Sequence, residues 1–392
     1  MKCSVVILNW NGEATLRQFL PSVLSHTQLP DVEIVVADNG STDGSLDYLQ
    51  TQPVRVIKLD QNYGFAGGYN HAIEQVDAEY TVLLNSDVEV TPHWLDIMLA
   101  YMDAHPETLA AQPKVLAWHS KQLFDKGEVK AVRFEHAGAA GGMMDMLGYP
   151  YCRGRLMTHV EEDHGQYDDI VPIFWATGAC LLVRTEIYKE LGGLDANFFA
   201  HQEEIDLCWR MSLYERGDVP AGGSDSLSGN GFCAAETRKR RTTPQSDITS
   251  PIVTHPREAA QPIVYLPMAT VYHVGGATLG YESPRKTFLN FRNNLLMLRK
   301  NLPASRLWWV MFIRFFMDYA AALQMLLTHQ FPNAKAVFEA RLAYHKMKKQ
   351  YPIARKRAVG SQNGSACQKS DANDMLAKRS IVWDFYVRKL KQ

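Results

Sequence analysis

The 392-residue chain carries 41 Lys and Arg against 42 Asp and Glu, a formal net charge of -1, and its hydrophobic share is 46%. That is enough for one large domain with additions, and it lacks the basic excess on which nucleic-acid binding relies, so no nucleic-acid partner is expected. Cys3, Cys152, Cys180, Cys208, Cys233 and Cys367 show no C-x-x-C pairing and read as reduced thiols of a cytosolic protein. The opening Met1-Lys2-Cys3-Ser4 runs at once into the apolar Val5 to Leu8, too short for a signal-peptide core, which again favours a cytoplasmic location.

Val5 to Leu8 predict a first strand, followed by Asn9-Trp10-Asn11-Gly12 and a helix with Leu16, Leu20, Val23 and Leu24 on one face. Glu33 to Ala37 predict a second strand, ending in Asp38-Asn39-Gly40-Ser41-Thr42-Asp43-Gly44. Val54 to Leu59 give a third, leading through Asn62 and the glycines Gly64, Gly67 and Gly68 to a helix near Asn70. Thr81 to Leu84 give a fourth, ending in Asn85-Ser86-Asp87. Four such β-α units with right-handed crossovers form a doubly wound, mostly parallel sheet and gather their polar loops at one edge, where open α/β sheets bind ligands.

Each loop alone is ambiguous, because turns use Asn, Asp and Gly for backbone reasons. Asn85-Ser86-Asp87 reads as a turn before the helix from Trp94, or as oxygen ligands for Mg²⁺ or Mn²⁺ with a phosphate as co-ligand. The glycine run is not G-x-G-x-x-G and no P-loop lysine follows it, which disfavours dehydrogenases and NTPases.

From Asp103 to about Val171 the pattern loosens into loops and irregular strands that could line an acceptor site. Phe174 to Val183 predict a strand and Thr185 to Leu191 a helix. His201-Gln202-Glu203-Glu204-Ile205-Asp206 opens a further helix, where acids are favourable in any protein and Asp206 can pair with Arg210 at i,i+4. Residues 217–261 are rich in Gly, Ser, Thr and Pro and read as a flexible insertion whose basic run, Arg238 to Arg241, is a solvated loop. Two short strands follow, Ile263 to Pro267 and Ala269 to His273, then a helix from Phe288 to Leu302 that carries Arg292. Leu307 to Leu327 are interrupted by Arg314, Asp318 and Gln324, too polar to span a membrane cheaply. With Trp308, Trp309, Phe312, Phe315 and Phe316 near Lys346, Lys348 and Lys349, this region suits a packed helical hairpin or peripheral membrane contact. Ser361 to Asp374 are polar, and Met375 to Leu390 suggest a last helix.

Val5-Val-Ile-Leu-Asn-Trp-Asn11-Gly12, Ala37-Asp38-Asn39-Gly40-Ser41-Thr42-Asp43-Gly44, Leu83-Leu84-Asn85-Ser86-Asp87, Gln202-Glu203-Glu204-Ile205-Asp206-Leu207-Cys208-Trp209-Arg210 and Tyr265 to Gly276 together resemble the motifs of family 2 glycosyltransferases with the GT-A fold, in their rhamnosyltransferase-like branch. The resemblance covers about residues 3 to 300. It implies a glycosyltransferase domain at 1–216 and 262–302, the insertion at 217–261, and a helical C-terminal extension at 303–392.

It also implies an inverting enzyme that moves a single sugar from a UDP- or dTDP-linked donor, rhamnose among the candidates, to a cell-surface glycan or lipid-linked acceptor. Asn9, Trp10, Asp38, Asn62, Asn70, Asn85, Ser86, Asp87 and Arg292 would contact the nucleotide-sugar. Asp87 and His273 would hold Mg²⁺ or Mn²⁺, and Glu204, with Glu203 beside it, would be the base. Two positions depart from the family's pattern: Asn85 replaces the first acid of D-x-D, and Glu204 stands where Asp is usual. The processive Q-x-x-R-W pattern is missing. The competing readings are a catalytically impaired scaffold protein with this fold, and a sugar-phosphate nucleotidyltransferase, which would need a basic glycine-rich loop after the first strand.

Overall fold

The computed structural model describes residues 1–215, 262–275, 283–353 and 376–389. The expected insertion at 217–261, its basic run, Gly276 and Ser361 to Asp374 lie outside them. In the first ninety or so residues, aliphatic runs too short for helices alternate with helix-period segments. They form the parallel strands β1 (Cys3–Asn9), β2 (Val32–Asn39), β3 (Arg55–Leu59) and β4 (Tyr80–Asn85), connected through α1 (Glu13–His26), α2 (Ser45–Leu49) and α3 (Gly64–Glu74). The glycine run that propensity assigns to a loop is the first turn of α3. A Cβ on Gly68 would stand 2.8 Å from Leu8 Cδ1, so close packing of helix on sheet outweighs helix propensity.

The chain continues through β5 (Val88–Val90), α4 (Trp94–Ala104), β6 (Ala110–Ala117) and α5 (Trp118–Asp125). A small antiparallel sheet follows: β7 (Gly142–Met144), β8 (Pro150–Cys152), β9 (Arg155–Leu156) and β10 (His159–Val160). Then come β11 (Val171–Pro172), β12 (Cys180–Arg184), α6 (Thr185–Glu190), α7 (Glu203–Glu215) and β13 (Ile263–His273). The main sheet has the order β11-β13-β6-β12-β4-β1-β2-β3, with β5 on β13.

This sheet is mixed, so the mostly parallel expectation holds only for part of it. β12 runs antiparallel between β4 and β6, while β5 and β11 run antiparallel to β13. β13 is one strand, with a register shift between Leu266 and Thr270 where two short strands are expected. Successive side chains point to opposite faces. Val6, Val35, Leu83 and Leu181 enter one core, and Val5, Ile7, Val36, Val82, Leu84 and Leu182 the other. Cys3, Cys152, Cys180 and Cys208 are buried free thiols.

The C-terminal helices are α8 (Pro284–Asn301), α9 (Ala304–Leu327), α10 (Phe331–Met347) and the short α11 (Ile381–Tyr386). Arg314 and Asp318, the residues that interrupt the apolar run of α9, are buried inside the bundle. Arg314 Nε donates to Asp318 Oδ1 at 3.2 Å and Arg314 Nη1 to Asn294 Oδ1 of α8 at 2.6 Å; Asp318 also pairs with Arg341 of α10. The opposite face of α9 exposes Trp308, Phe312, Phe315, Phe316, Leu323 and Leu327.

Asp206 joins α7 to α8. It is fully buried and accepts from Arg210 Nε at 2.8 Å, Lys300 Nζ at 2.9 Å and Asn301 Nδ2 at 2.8 Å. Burial alone would raise its pKa, but Lys300 and Arg210 lower it from 3.8 to about 2. A carboxylate depressed in the folded state stabilises fully above its unfolded pKa and loses that stabilisation as pH falls through the folded value. The urea midpoint should therefore drop as pH falls from about 4 towards 2. Asp206→Asn should flatten that drop and, by stranding two buried cations, lower neutral-pH stability by roughly 3–5 kcal/mol; an unchanged acid slope in the variant would contradict the assignment.

Candidate functional site

The register of β1 against β2 places Asn9 opposite Asp38, both buried. Asn9 Nδ2 donates to Asp38 Oδ2 at 3.1 Å and to Ser41 Oγ at 3.2 Å, and the Ser41 amide donates to Asp38 Oδ1 at 3.0 Å. Asn9 Oδ1 is buried without a hydrogen-bond partner among the described residues. Gly12 keeps the space beside it open, since a Cβ there would lie 2.5 Å from that oxygen. A buried acceptor left open at a strand end is a docking point for a ligand donor. Trp10 is exposed next to it.

Asn62 and Asn70 have a different place from the one expected. Asn62 Oδ1 accepts from Asn39 Nδ2 at 3.1 Å and from the Gly64 amide at 2.8 Å. Asn70 Oδ1 accepts from Tyr188 OH at 2.7 Å and the Leu194 amide at 2.9 Å, while its Nδ2 donates to Leu194 O at 2.8 Å. Both amides tie loops together, so in this structure they act as architecture.

At the end of β4, Asp87 Oδ1 lies 3.2 Å from His273 Nε2, and Asn85 Nδ2 lies 3.3 Å from the same nitrogen. β5 brings these groups together by pairing Val88 with His273 of β13. Ser86 is partly exposed between Asn85 and Asp87. His273 Nδ1 faces Glu135 Oε2 at 3.5 Å, a buried carboxylate that sequence reasoning misses because it sits in a loop with no periodic signal. Burial would lower the histidine pKa, but Asp87 and Glu135 push it up to about 10. Burial would likewise raise Asp87, whose carboxyl His273 holds below the usual range. Glu89 turns away, accepting from Trp118 Nε1 at 2.8 Å.

Among the described residues no group of three or more His, Cys, Asp and Glu forms a metal cage. Mg²⁺ and Mn²⁺ at phosphate sites need few protein donors, since phosphate oxygens and water complete the shell. Asp87 Oδ1 and His273 Nε2 lie 3.2 Å apart with Glu135 behind the imidazole, a carboxylate of the kind that orients a ligating histidine, and the imidazole must give up its proton to act as a ligand. That donor set fits a divalent cation.

Glu203 and Glu204 open α7. A Cβ on Gly178 would lie 3.8 Å from Glu204 Cβ, and the neighbouring Ala179 carbonyl accepts from the Asn85 amide at 3.0 Å, so the acid pair borders the end of β4. Each glutamate has a buried Oε2 without a hydrogen-bond partner among the described residues. Burial, then the Glu204 charge, raises Glu203 well above the carboxylate range, and burial pushes Glu204 up to about 7. The pair titrates together.

The preceding loop is strained: Phe199, His201 and Gln202 have φ of 65°, 69° and 74°, each costing about 1–3 kcal/mol for a non-glycine residue. Arg292 of α8 engages the segment just before these residues. Its Nη2 donates to Asn197 O at 3.0 Å and Phe198 O at 3.1 Å.

Residues 4–117 match the model of glycosyl transferase family 2. This match spans the stretch from β1 to β6. It is 29% identical over 222 residues to the O-antigen biosynthesis protein RfbC of Myxococcus xanthus, covering 54% of this chain and 16% of that protein. It is 28% identical over 220 residues to the N-acetylglucosaminyl-diphospho-decaprenol L-rhamnosyltransferase of Mycobacterium tuberculosis, covering 53% of this chain and 69% of that one. The alignments thus span about half of this chain. A crystal structure of GalNAc-T7 with UDP, GalNAc and Mn²⁺ is similar with a TM-score of 0.50 at 15% identity, covering 91% of this chain and 59% of that one. That likeness is one of fold, and the fold is GT-A-like.

The Phe199 ring fills the space over Gly64, whose φ is +74° and whose added Cβ would stand 2.5 Å from the ring. Gly64→Ala should cost about 2–4 kcal/mol, from backbone strain plus clash. Gly127→Ala, at φ +73° with open space around it, should cost only the backbone part, about 1 kcal/mol. Equal losses in the two urea titrations would contradict the packing of Phe199 on Gly64.

Proposed function

We propose that the chain is a metal-dependent inverting glycosyltransferase that moves one sugar from a UDP- or dTDP-linked donor to a cell-surface glycan or lipid-linked acceptor. The observation that carries this reading is the juxtaposition, along one sheet edge, of Asn9 and Asp38, of Asp87 and His273, and of the half-buried acid Glu204. The open acceptor on Asn9 and the Asp38 carboxylate suit the base and ribose of a nucleotide, with Trp10 beside them. Asp87 and His273 would hold the divalent cation, with Asn85 as a neutral neighbour. When bound, that cation neutralises charge developing on the departing nucleoside diphosphate.

Glu204 would accept the proton of the acceptor hydroxyl. As that oxygen bonds to the anomeric carbon, the bond to the diphosphate breaks and the proton passes to the carboxylate. A pKa near 7 matches a base that works at neutral pH. The longer Glu side chain reaches the cleft from a helix start fixed by the strained loop. A scaffold that had lost turnover would have no need to keep a buried, unpartnered carboxyl oxygen on each of two adjacent acids, so the acid pair favours an enzyme. The rhamnosyltransferase activity named for the Mycobacterium tuberculosis relative supports rhamnose as one donor sugar to test.

In a donor screen with Mn²⁺, kcat should rise with pH through about 7 as Glu204 ionises. Glu204→Gln should lower kcat by roughly 10²–10⁴, and Asp87→Ala should abolish the response to Mn²⁺. Turnover by Glu204→Gln at the wild-type rate would defeat the base assignment.

The open face of α9, with Trp308, Phe312, Phe315 and Phe316 and the exposed Lys335, Lys346 and Lys349 of α10 and its end, supports peripheral contact with an anionic membrane on its cytoplasmic side. Because Arg314 and Asp318 are held inside the bundle, the helix would lie on the surface rather than cross it. The protein should co-sediment with phosphatidylglycerol vesicles and not with phosphatidylcholine vesicles, and Phe312→Glu/Phe316→Glu should remain in the supernatant. Equal sedimentation of the double variant would rule out this face.

A further inference from the structure

We propose that Asn293 is a positioning residue for Glu204: its side-chain amide holds the left-handed loop Phe199–Gln202 so that α7 begins with its carboxyl pair at the cleft. The proposal rests on the reading of Glu204 as the base.

Asn293 is fully buried in the middle of α8. Its Nδ2 is shared among three carbonyls of the loop, Phe198 O at 3.0 Å, Ala200 O at 2.9 Å and His201 O at 2.8 Å. Its Oδ1 accepts from Arg292 Nε at 2.8 Å, which fixes the amide with its N–H groups towards the loop. Arg292 grips the two residues before the strained ones. Asn294 extends the grip, donating to Gln202 Oε1 at 3.2 Å while Arg314 Nη1 donates to its Oδ1.

On its other side the loop is held by α3, whose Phe65 and Ala66 amides donate to Phe199 O at 2.8 and 3.2 Å. The left-handed residues lie immediately before Glu203. Bulky residues persist in such conformations only where the surroundings over-determine them. Relaxation of the loop would swing the first turn of α7, which is the turn that carries Glu204. Asp206, one turn further on, is anchored separately by Lys300 and Asn301, so the helix would stay in place while its start moved.

Asn293→Asp tests this, because the isosteric carboxylate still accepts from Arg292 but cannot donate to the loop. With a nucleotide-sugar found active in the donor screen, kcat should fall about tenfold or more with donor KM within about twofold, a loss confined to the reacting state. The acidic limb of the kcat–pH profile should shift, and amide hydrogen exchange of residues 199–204 should quicken while β1 to β4 keep their protection. Adding His201→Gly, which removes the strain at one left-handed position, should restore several-fold of the lost kcat. If Asn293→Asp does not fold, Arg292→Gln, which frees the amide to turn, carries the same expectations.

Wild-type kcat, pH profile and exchange in the folded variant would overturn the proposal, as would a double variant no better than the single one. Turnover by Glu204→Gln would instead remove the base assignment, and the exchange experiment would still decide whether Asn293 holds the loop.

Discussion

A parallel strand leaves its carboxyl-terminal residues at the same edge of the sheet as its parallel neighbours, and this constraint organises the molecule. β1, β2 and β4 each end in polar residues that would be wasteful in a turn alone. The pairings of Asn9 with Asp38 and of Leu8 with Asn85 follow from strand register. β13 then brings His273 to the same edge through β5, and the antiparallel β12 leads in from the Gly178–Ala179 turn that adjoins Glu204. Residues far apart in sequence thereby gather at one edge of the sheet.

The cleft contains more buried charge than its neighbours can fully pair. Asp87 and Glu135 share His273, whereas Glu203 and Glu204 have no cation against them among the contacts described. These two situations move the pKa values in opposite directions: the carboxylate beside the histidine is lowered, and the acid pair retains protons to higher pH. Environments that separate the titrations of similar groups are how one site holds an electrostatic ligand and a base together. α8 makes this possible by holding both flanks of the acid pair, the loop before it through Asn293 and Asn294 and Asp206 behind it through Lys300 and Asn301.

Much of this was legible from residue order. Alternating aliphatic runs and helix-period segments located β1 to β4, and the polar stretches at their ends marked Asn9, Asp38 and Asp87. β6 escaped detection because Ala-Ala-Gln-Pro-Lys-Val-Leu-Ala has little of the β-branched character that marks a strand, although it lies at the centre of the sheet. Asn62, Asn70 and Arg292 illustrate the limit for site residues. Polar side chains near a strand end look alike in sequence whether they face a ligand or a backbone carbonyl, and only three-dimensional partners separate the two. Glu135 and Asn293 had no periodic signal, since one lies in an irregular loop and the other's role depends on a segment about ninety residues away. The polar interruptions in α9 were readable as a barrier to spanning, but their inward direction depended on Arg341 of α10.

In the proposed function a nucleoside diphosphate binds this edge through a cation at Asp87. Equilibrium titration of UDP and dTDP, each with and without Mn²⁺, into the wild type and Asp87→Ala measures it directly. The account predicts tight binding of at least one nucleotide that requires Mn²⁺ in the wild type and is lost in the variant. Binding of equal strength with and without Mn²⁺ in both proteins would contradict it.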